Sequence, residues 1–295
     1  MESKNAWVYY ALLVVLFCGV WGAFIDLPEK NGFPATLGYV VWAFTMIPAA
    51  MIALSKKKWK FQKDKSTIIY GLICGLLGAA GQLILFIALR YAPAYLIFPL
   101  ISLTPLVPVV LAVLFLKEKC SWLGWTGIVL SLVAGYFLSY SDGGGVGASG
   151  SLWLILSILV MLTWGIQSYV LKVANQESDA ESIFFYMTVG ALALVPFALL
   201  LTDFSAPINW GMDGAFLAAC VQILNAFGAL FIVYSFRYGK AIFVAPISTA
   251  MPPVVTIIIS LILHQTIPHF IILIGMILAI ISAIMMVVDE SKNSN

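Results

Sequence analysis

Charge is what this chain has least of. Only 9% of its 295 residues are Asp, Glu, Lys or Arg, and 62% are hydrophobic, with a mean hydropathy of +1.05. A soluble domain carries about 25% charged residues and about 45–50% apolar ones, so a soluble globular protein is excluded. Histidine and cysteine are scarce too, with two of the first and four of the second. His264 and His269 have no carboxylate or cysteine at ligand spacing. Cys18, Cys74, Cys120 and Cys220 fall in or beside apolar runs without paired spacing. That leaves no zinc site and no disulfide framework, and the cysteines read as small apolar packing residues. The glycines at 143–150 lie between apolar runs and lack the lysine of a phosphate-cradling loop. No catalytic residue, metal or cofactor is expected.

What is present is apolar length. Ten runs, 7–25, 33–54, 68–89, 91–116, 122–140, 152–171, 182–201, 214–236, 241–263 and 270–288, contain no formal charge. A bilayer core takes about 20 apolar residues per helical crossing. The expected fold is an all-α integral membrane protein of ten transmembrane helices, with no room for a soluble domain. The first run is full length and lacks a small-residue cleavage site, so it reads as a retained helix.

Lysines set the orientation. The loop at 55–67 holds Lys56, Lys57, Lys58, Lys60, Lys63 and Lys65, and basic loops stay in the cytoplasm. Alternation then puts Lys4, Lys117, Lys119, Lys172, Arg237, Lys240 and Lys292 inside as well, with only Lys30 and Arg90 outside. Both termini are expected in the cytoplasm. The six-lysine loop reads chiefly as a topology determinant, so no nucleic-acid partner is expected.

One stretch is written twice, at 89–119 and at 236–266. Arg90 matches Arg237, Pro99 matches Pro246 and Pro105 matches Pro252, all at an offset of 147. Trp21-Gly22 echoes Trp164-Gly165, and Pro48 echoes Pro196. Five runs precede the glycine-rich 141–151 stretch and five follow it, so the second copy enters the membrane from the opposite side. The expected organisation is a five-helix repeat at 1–140, a linker at 141–151, an inverted second repeat at 152–288 and a tail at 289–295. Matched proline-interrupted segments in inverted repeats point to a transporter's binding site. A helix-interior proline removes a backbone donor and clashes one turn back, so Pro99, Pro105, Pro246 and Pro252 are gate or hinge candidates.

Polar groups within the apolar runs are costly unless satisfied, and each is a candidate. Gln82, Gln222 and Asn225 are either glue between helices or ligand contacts. Ser102, Thr104, Ser248 and Thr249 are either ligand contacts or bonded to their own backbone. Gln167 and Tyr169 follow the second Trp-Gly. Trp21 and Trp164 lie too deep for an interfacial belt and read as aromatic cavity wall or as core. Asp26 and Glu29 are proton-coupling candidates at the outer end of the first run, or an exposed cluster offset by Lys30. Glu118, between Lys117 and Lys119, reads as an ion-pair residue. Small residues such as Gly71, Gly75, Gly78 and Gly81 read as helix-packing positions.

The two Trp-Gly pairs, each followed eight or nine residues on by Lys30 or Lys172, resemble the EamA-type repeat of the drug/metabolite transporter superfamily. So does ALRYAPA leading to LISLTPLVPVVLAVLFLKEK with its terminal glutamate. The resemblance spans the chain as two copies. It implies a ten-helix inverted repeat whose central cavity is lined by spans three, four, eight and nine, and ATP-independent export or exchange of small metabolites. The chain departs from the pattern at Gln265, where the second copy lacks the glutamate, near Trp42, where an arginine is common, and at 24–39. The expected function is a secondary transporter moving a small neutral or zwitterionic metabolite by alternating access, through export, exchange or facilitation. Its partners are that metabolite and the lipid bilayer. A channel, or a non-transporting receptor or membrane enzyme, is the alternative. Compactness and the absence of Asn-X-Ser/Thr sequons fit a bacterial cytoplasmic membrane.

Overall fold

A computed structural model describes residues 6–92, 94–140, 151–264 and 268–293. Lys4, the linker residues 141–150 and Gln265 lie outside the described residues, as does the His264 side chain. The described chain is helical: α1 (Ala6–Phe24), α2 (Leu27–Lys30), α3 (Ala35–Lys56), α4 (Lys65–Ala88), α5 (Ala94–Ile101), α6 (Leu106–Phe115) and α7 (Trp122–Leu138), then α8 (Leu152–Glu177), α9 (Ala180–Ala193), α10 (Val195–Leu200), α11 (Leu217–Tyr238), α12 (Ala241–Ala250), α13 (Pro252–His264) and α14 (Phe270–Asn293). A single π turn, Met212–Phe216, leads into α11. Nine of the expected segments are long and apolar enough to cross a membrane among the described residues, whereas α7, at 17 residues, is shorter.

The breaks fall where the prolines predict. Pro99 lies inside α5 and Pro105 is the N-cap of α6, with a turn at 102–105 between them. Pro246 lies inside α12, which ends at Ala250, and Pro252 opens α13. Proline is tolerated in a first turn, where its missing N–H would have no helical partner. The Pro48–Pro196 echo is weaker: Pro48 sits in the unbroken α3, whereas Pro196 opens α10 after a break from α9.

Polar caps end several helices. Asp64 accepts from the Thr67 amide, Ser121 from the Leu123 amide and Asp179 from the Ser182 amide. The Thr67 amide, then the Ser66 and Thr67 hydroxyls, hold the Asp64 carboxyl down at about 2.

Glycine sets the packing of α4 between α8 and α9. A Cβ at Gly75 would lie 2.2 Å from the Met187 carbonyl oxygen, and one at Gly71 would lie 2.5 Å from the Tyr186 Cβ. Backbones therefore touch, as small residues permit. At the matched place in the second half, α11 packs between α1 and α3, while α7 packs along α14. Cys74 is buried, but Cys220 is exposed, so the packing role expected of all four cysteines fails there.

Hydrogen bonds gather the loops at two ends, as the alternation of the spans requires. One end joins the six-lysine loop to the start of α9, through Gln62 N to Ser182 Oγ at 2.8 Å and Lys57 to Glu181 at 3.9 Å. At the other, Asn209 Nδ2 donates to the Asn31 carbonyl at 3.0 Å, and Tyr140 stacks on His269. These are called the lysine end and the distal end below.

Candidate functional site

The two deep tryptophans bond between helices. Trp21 Nε1 on α1 donates to Gln222 Oε1 on α11 at 3.1 Å, and Gln222 is buried. Trp164 Nε1 on α8 donates to the Gly78 carbonyl on α4 at 3.1 Å. Gln167 fills the space over the same glycine, where a Cβ would lie 2.4 Å from its Nε2. The hydroxyls of the broken spans turn back on their own backbone: Ser102 to the Pro99 carbonyl, Thr104 to Ile101 and Thr249 to Ala245, at 2.6–3.0 Å.

Other polar groups keep open valences. Gln82, Gln167 and Asn225 are half-buried and make no side-chain hydrogen bond among the described residues. The buried Ser248 Oγ and Trp42 Nε1 have no hydrogen-bond partner either. Trp42, marked in the sequence only as a departure, is thus a buried donor without an acceptor, a condition that costs free energy.

Asp26 and Lys30 form a close ion pair across one helical turn, with both side chains more than half exposed. They line a cavity of about 210 Å³ at the distal end, together with Gly22, Phe24, Ser260 and Leu263. Glu29 is exposed and does not line it. A second cavity of about 220 Å³ is wholly apolar and lies between α6 and α7, against Val110, Val113 and Trp125.

The lysine end is knotted by charges on helix termini. The last carbonyls of a helix lack intrahelical partners and carry partial negative charge, and its first amides carry the opposite. Lys172, on α8, donates to the Phe236 and Gly239 carbonyls at the end of α11, at 3.2 and 2.6 Å. Arg237, on α11, donates in return to the Asn175 and Ser178 carbonyls at the end of α8, both at 2.6 Å. Each helix caps the other. Glu118 makes no ion pair within contact distance among the described residues; its two oxygens accept from the Ala241 and Ile242 amides that open α12, each at 3.1 Å. Lys240 pairs with Glu290 at 2.9 Å, and Asp289 takes the Ser121 hydroxyl.

The distal end differs. Arg90, matched in sequence to Arg237, donates to the Leu201 carbonyl at 3.0 Å, and Lys30 is held by Asp26. Packing differs in the same sense. At the lysine end α12 packs on α6, α8 and α11, and α11 packs on α8. No comparable packing joins the matched α5 to α13, α1 or α4, or α4 to α1, among the described residues.

The sequence model of the EamA-like transporter family matches residues 5–140 and again 151–288. The chain belongs to that family. Its two halves are EamA-like units in a multi-pass membrane protein, whose place is in the membrane transport of small molecules. An uncharacterized protein of Methanocaldococcus jannaschii is 32% identical over 136 residues, covering 46% of this chain and 97% of that protein. An uncharacterized transporter of Sinorhizobium sp., from the cobO 3' region, is 27% identical over 137 residues, covering 46% of this chain and 96% of its own. A solved crystal structure superposes with a TM-score of 0.77 at 17% identity, covering 99% of this chain and all of the other, which shows a shared fold.

Of this EamA-like transporter's predicted site residues, Trp21 and Gln222 are brought together across helices, while Trp164 and Gln167, one turn apart on α8, both meet Gly78 on α4. Gln82 and Asn225 join neither set by a hydrogen bond among the described residues. The Lys172–Arg237 exchange and the Glu118 cap were not legible, because their partners are backbone groups. The one available signal was the repeated Arg-Tyr pair itself.

Proposed function

We propose that this chain is a secondary transporter of a small neutral or zwitterionic organic metabolite. It works by alternating access between two inverted five-helix repeats that cross the membrane ten times. The lysine end is cytoplasmic, and the conformation described is closed there and parted at the distal, outer end. One observation carries this reading: α12 packs on α6, α8 and α11 at the lysine end, while the matched α5 lacks the corresponding packing at the other. Two repeats of the same design in unequal states are what a rocking carrier requires. A rigid structural bundle has no reason to break that equivalence. The proline breaks at 99–105 and 246–252 supply the hinges.

The ligand class follows from the open valences. Asn225, Gln82, Gln167, Trp42 and Ser248 offer neutral donors and acceptors, and no formal charge lies in the apolar runs. A site of this kind favours a ligand without net charge, because an ion there would lack a counter-charge. The test is thermal stabilisation by a panel of neutral amino acids, sugars and nucleosides, followed by counterflow of the hit in proteoliposomes. The expected hit stabilises the parent, exchanges across the vesicle wall and loses both effects in Asn225→Ala or Gln82→Ala. A ligand that binds but shows no counterflow would overturn the transport reading.

A further inference from the structure

The Lys172–Arg237 exchange has counterparts in the first half that hold other partners. Arg90 stands 147 residues before Arg237, and Lys30 follows Trp21 as Lys172 follows Trp164. The carbonyls that receive Lys172, at 236 and 239, correspond to those of Leu89 and Ala92 by the same offset. Yet Lys30 bonds to Asp26 within its own segment, and Arg90 reaches the Leu201 carbonyl that closes α10.

We propose that Lys30 and Arg90 form a second clasp, the counterpart of Lys172 with Arg237, and that the two clasps are made alternately as the transporter turns over. In that second clasp Lys30 takes the carbonyls ending α4, and Arg90 takes those at the turn from α2 into α3, three to six residues after Lys30, as Asn175 and Ser178 follow Lys172. The inference rests on the alternating-access reading above.

Three features support it. The helices that the lysine-end clasp joins, α8 and α11, pack together, whereas their matches, α1 and α4, have no comparable packing. The present partners of Lys30 and Arg90 are easily exchanged. The Asp26–Lys30 pair is more than half exposed, and such pairs hold little. The carriers of the two lysines also differ. α8 runs unbroken through Lys172 to Glu177, fixing that lysine beside α11. α1 ends at Phe24, and Lys30 sits on the separate turn α2, after a break at 25–26 that lets the lysine be re-aimed.

Cross-linking of the full-length protein in proteoliposomes tests this. On a background with Cys18, Cys74, Cys120 and Cys220 changed to alanine, one variant carries Lys30→Cys with Arg90→Cys, another Lys172→Cys with Arg237→Cys, and a third carries all four. A short bismaleimide is the probe. The 30–90 pair is expected to react slowly while the lysine end is closed, and about tenfold faster after Glu118→Gln. That rise corresponds to about 1.4 kcal/mol of lost bias. Glu118→Gln keeps the shape and one acceptor, so its fold survives, and an unchanged melting temperature checks this. In the four-cysteine variant, few molecules should carry both cross-links at once. An unchanged 30–90 rate in folded Glu118→Gln protein would overturn the proposal, as would doubly cross-linked molecules at the product of the single yields. Counterflow by the uncross-linked background separates the two readings. Flux with independent cross-links sinks the clasp alone, whereas exclusive cross-links without flux sink the transport reading alone.

Discussion

Arg237 and Arg90 occupy the same place in two copies of one motif, yet they hold different ends of different helices. Arg237 closes α8 through two carbonyls, while Arg90 rests on one carbonyl of Leu201. Neither the residue nor its immediate sequence explains the contrast. What differs is the approach of the neighbouring helices, closer at the lysine end than between their matches at the distal end among the described residues. The repeat therefore encodes a pair of alternative contacts, and the structure holds one of each.

The largest effect should come from removing what both ends share. Gly75→Leu drives a side chain into the Met187 carbonyl, which stands 2.2 Å from a Cβ there. Overpacking of this kind costs about 1–3 kcal/mol or more, so a sharp fall in the melting temperature and a loss of monodisperse protein in detergent are expected.

Next comes the direct comparison of the two arginines. Hydrogen bonds to charged groups contribute about 1.5–3 kcal/mol and exposed contacts about 0–1 kcal/mol. Arg237→Ala should lower the melting temperature several-fold more than Arg90→Ala; equal falls would erase the asymmetry. Glu118→Gln comes third, since one amide of α12 keeps an acceptor and the charge at this half-buried helix start is lost, worth about 1–2 kcal/mol. Its signature is increased proteolysis or labelling around 237–242 with little change at 201–211.

Asp64→Ala is the smallest, because this cap is exposed and meets the lysine-end clasp only indirectly, through the Thr67 and Ser178 hydroxyls 2.6 Å apart. The Thr67 amide and nearby hydroxyls hold the carboxyl down at about 2, below its usual value. A depressed carboxyl contributes stability that is present above its unfolded-state value and is lost as pH falls through the folded one. The small gap in melting temperature between parent and variant should thus be constant at neutral pH and close only in strong acid.

How much of this could be read from residues alone is itself uneven. The helices, their proline breaks and the family were legible, because apolar length and proline chemistry act locally. The fates of Ser102, Thr104 and Thr249 were among the readings left open, since hydroxyls commonly bond one turn back. Trp21 with Gln222 could not be foreseen, because the pairing depends on how α1 crosses α11. Glu118 was misread for a related reason: its flanking lysines suggested ion pairs, while its partners are amides more than a hundred residues away. Helix termini leave no mark in a sequence as acceptors for distant cations, so the Lys172–Arg237 exchange emerged only with the packing.

The most direct test of the central claim, a bundle closed at the lysine end and parted at the distal end, is sided cysteine labelling. Gln82→Cys and Asn225→Cys, each on the background lacking the four native cysteines, are exposed to a membrane-impermeant maleimide from either face of oriented vesicles. The account predicts rapid labelling from the face opposite the six-lysine loop and little from the lysine face. Labelling from the lysine face alone, or equally from both, would contradict it.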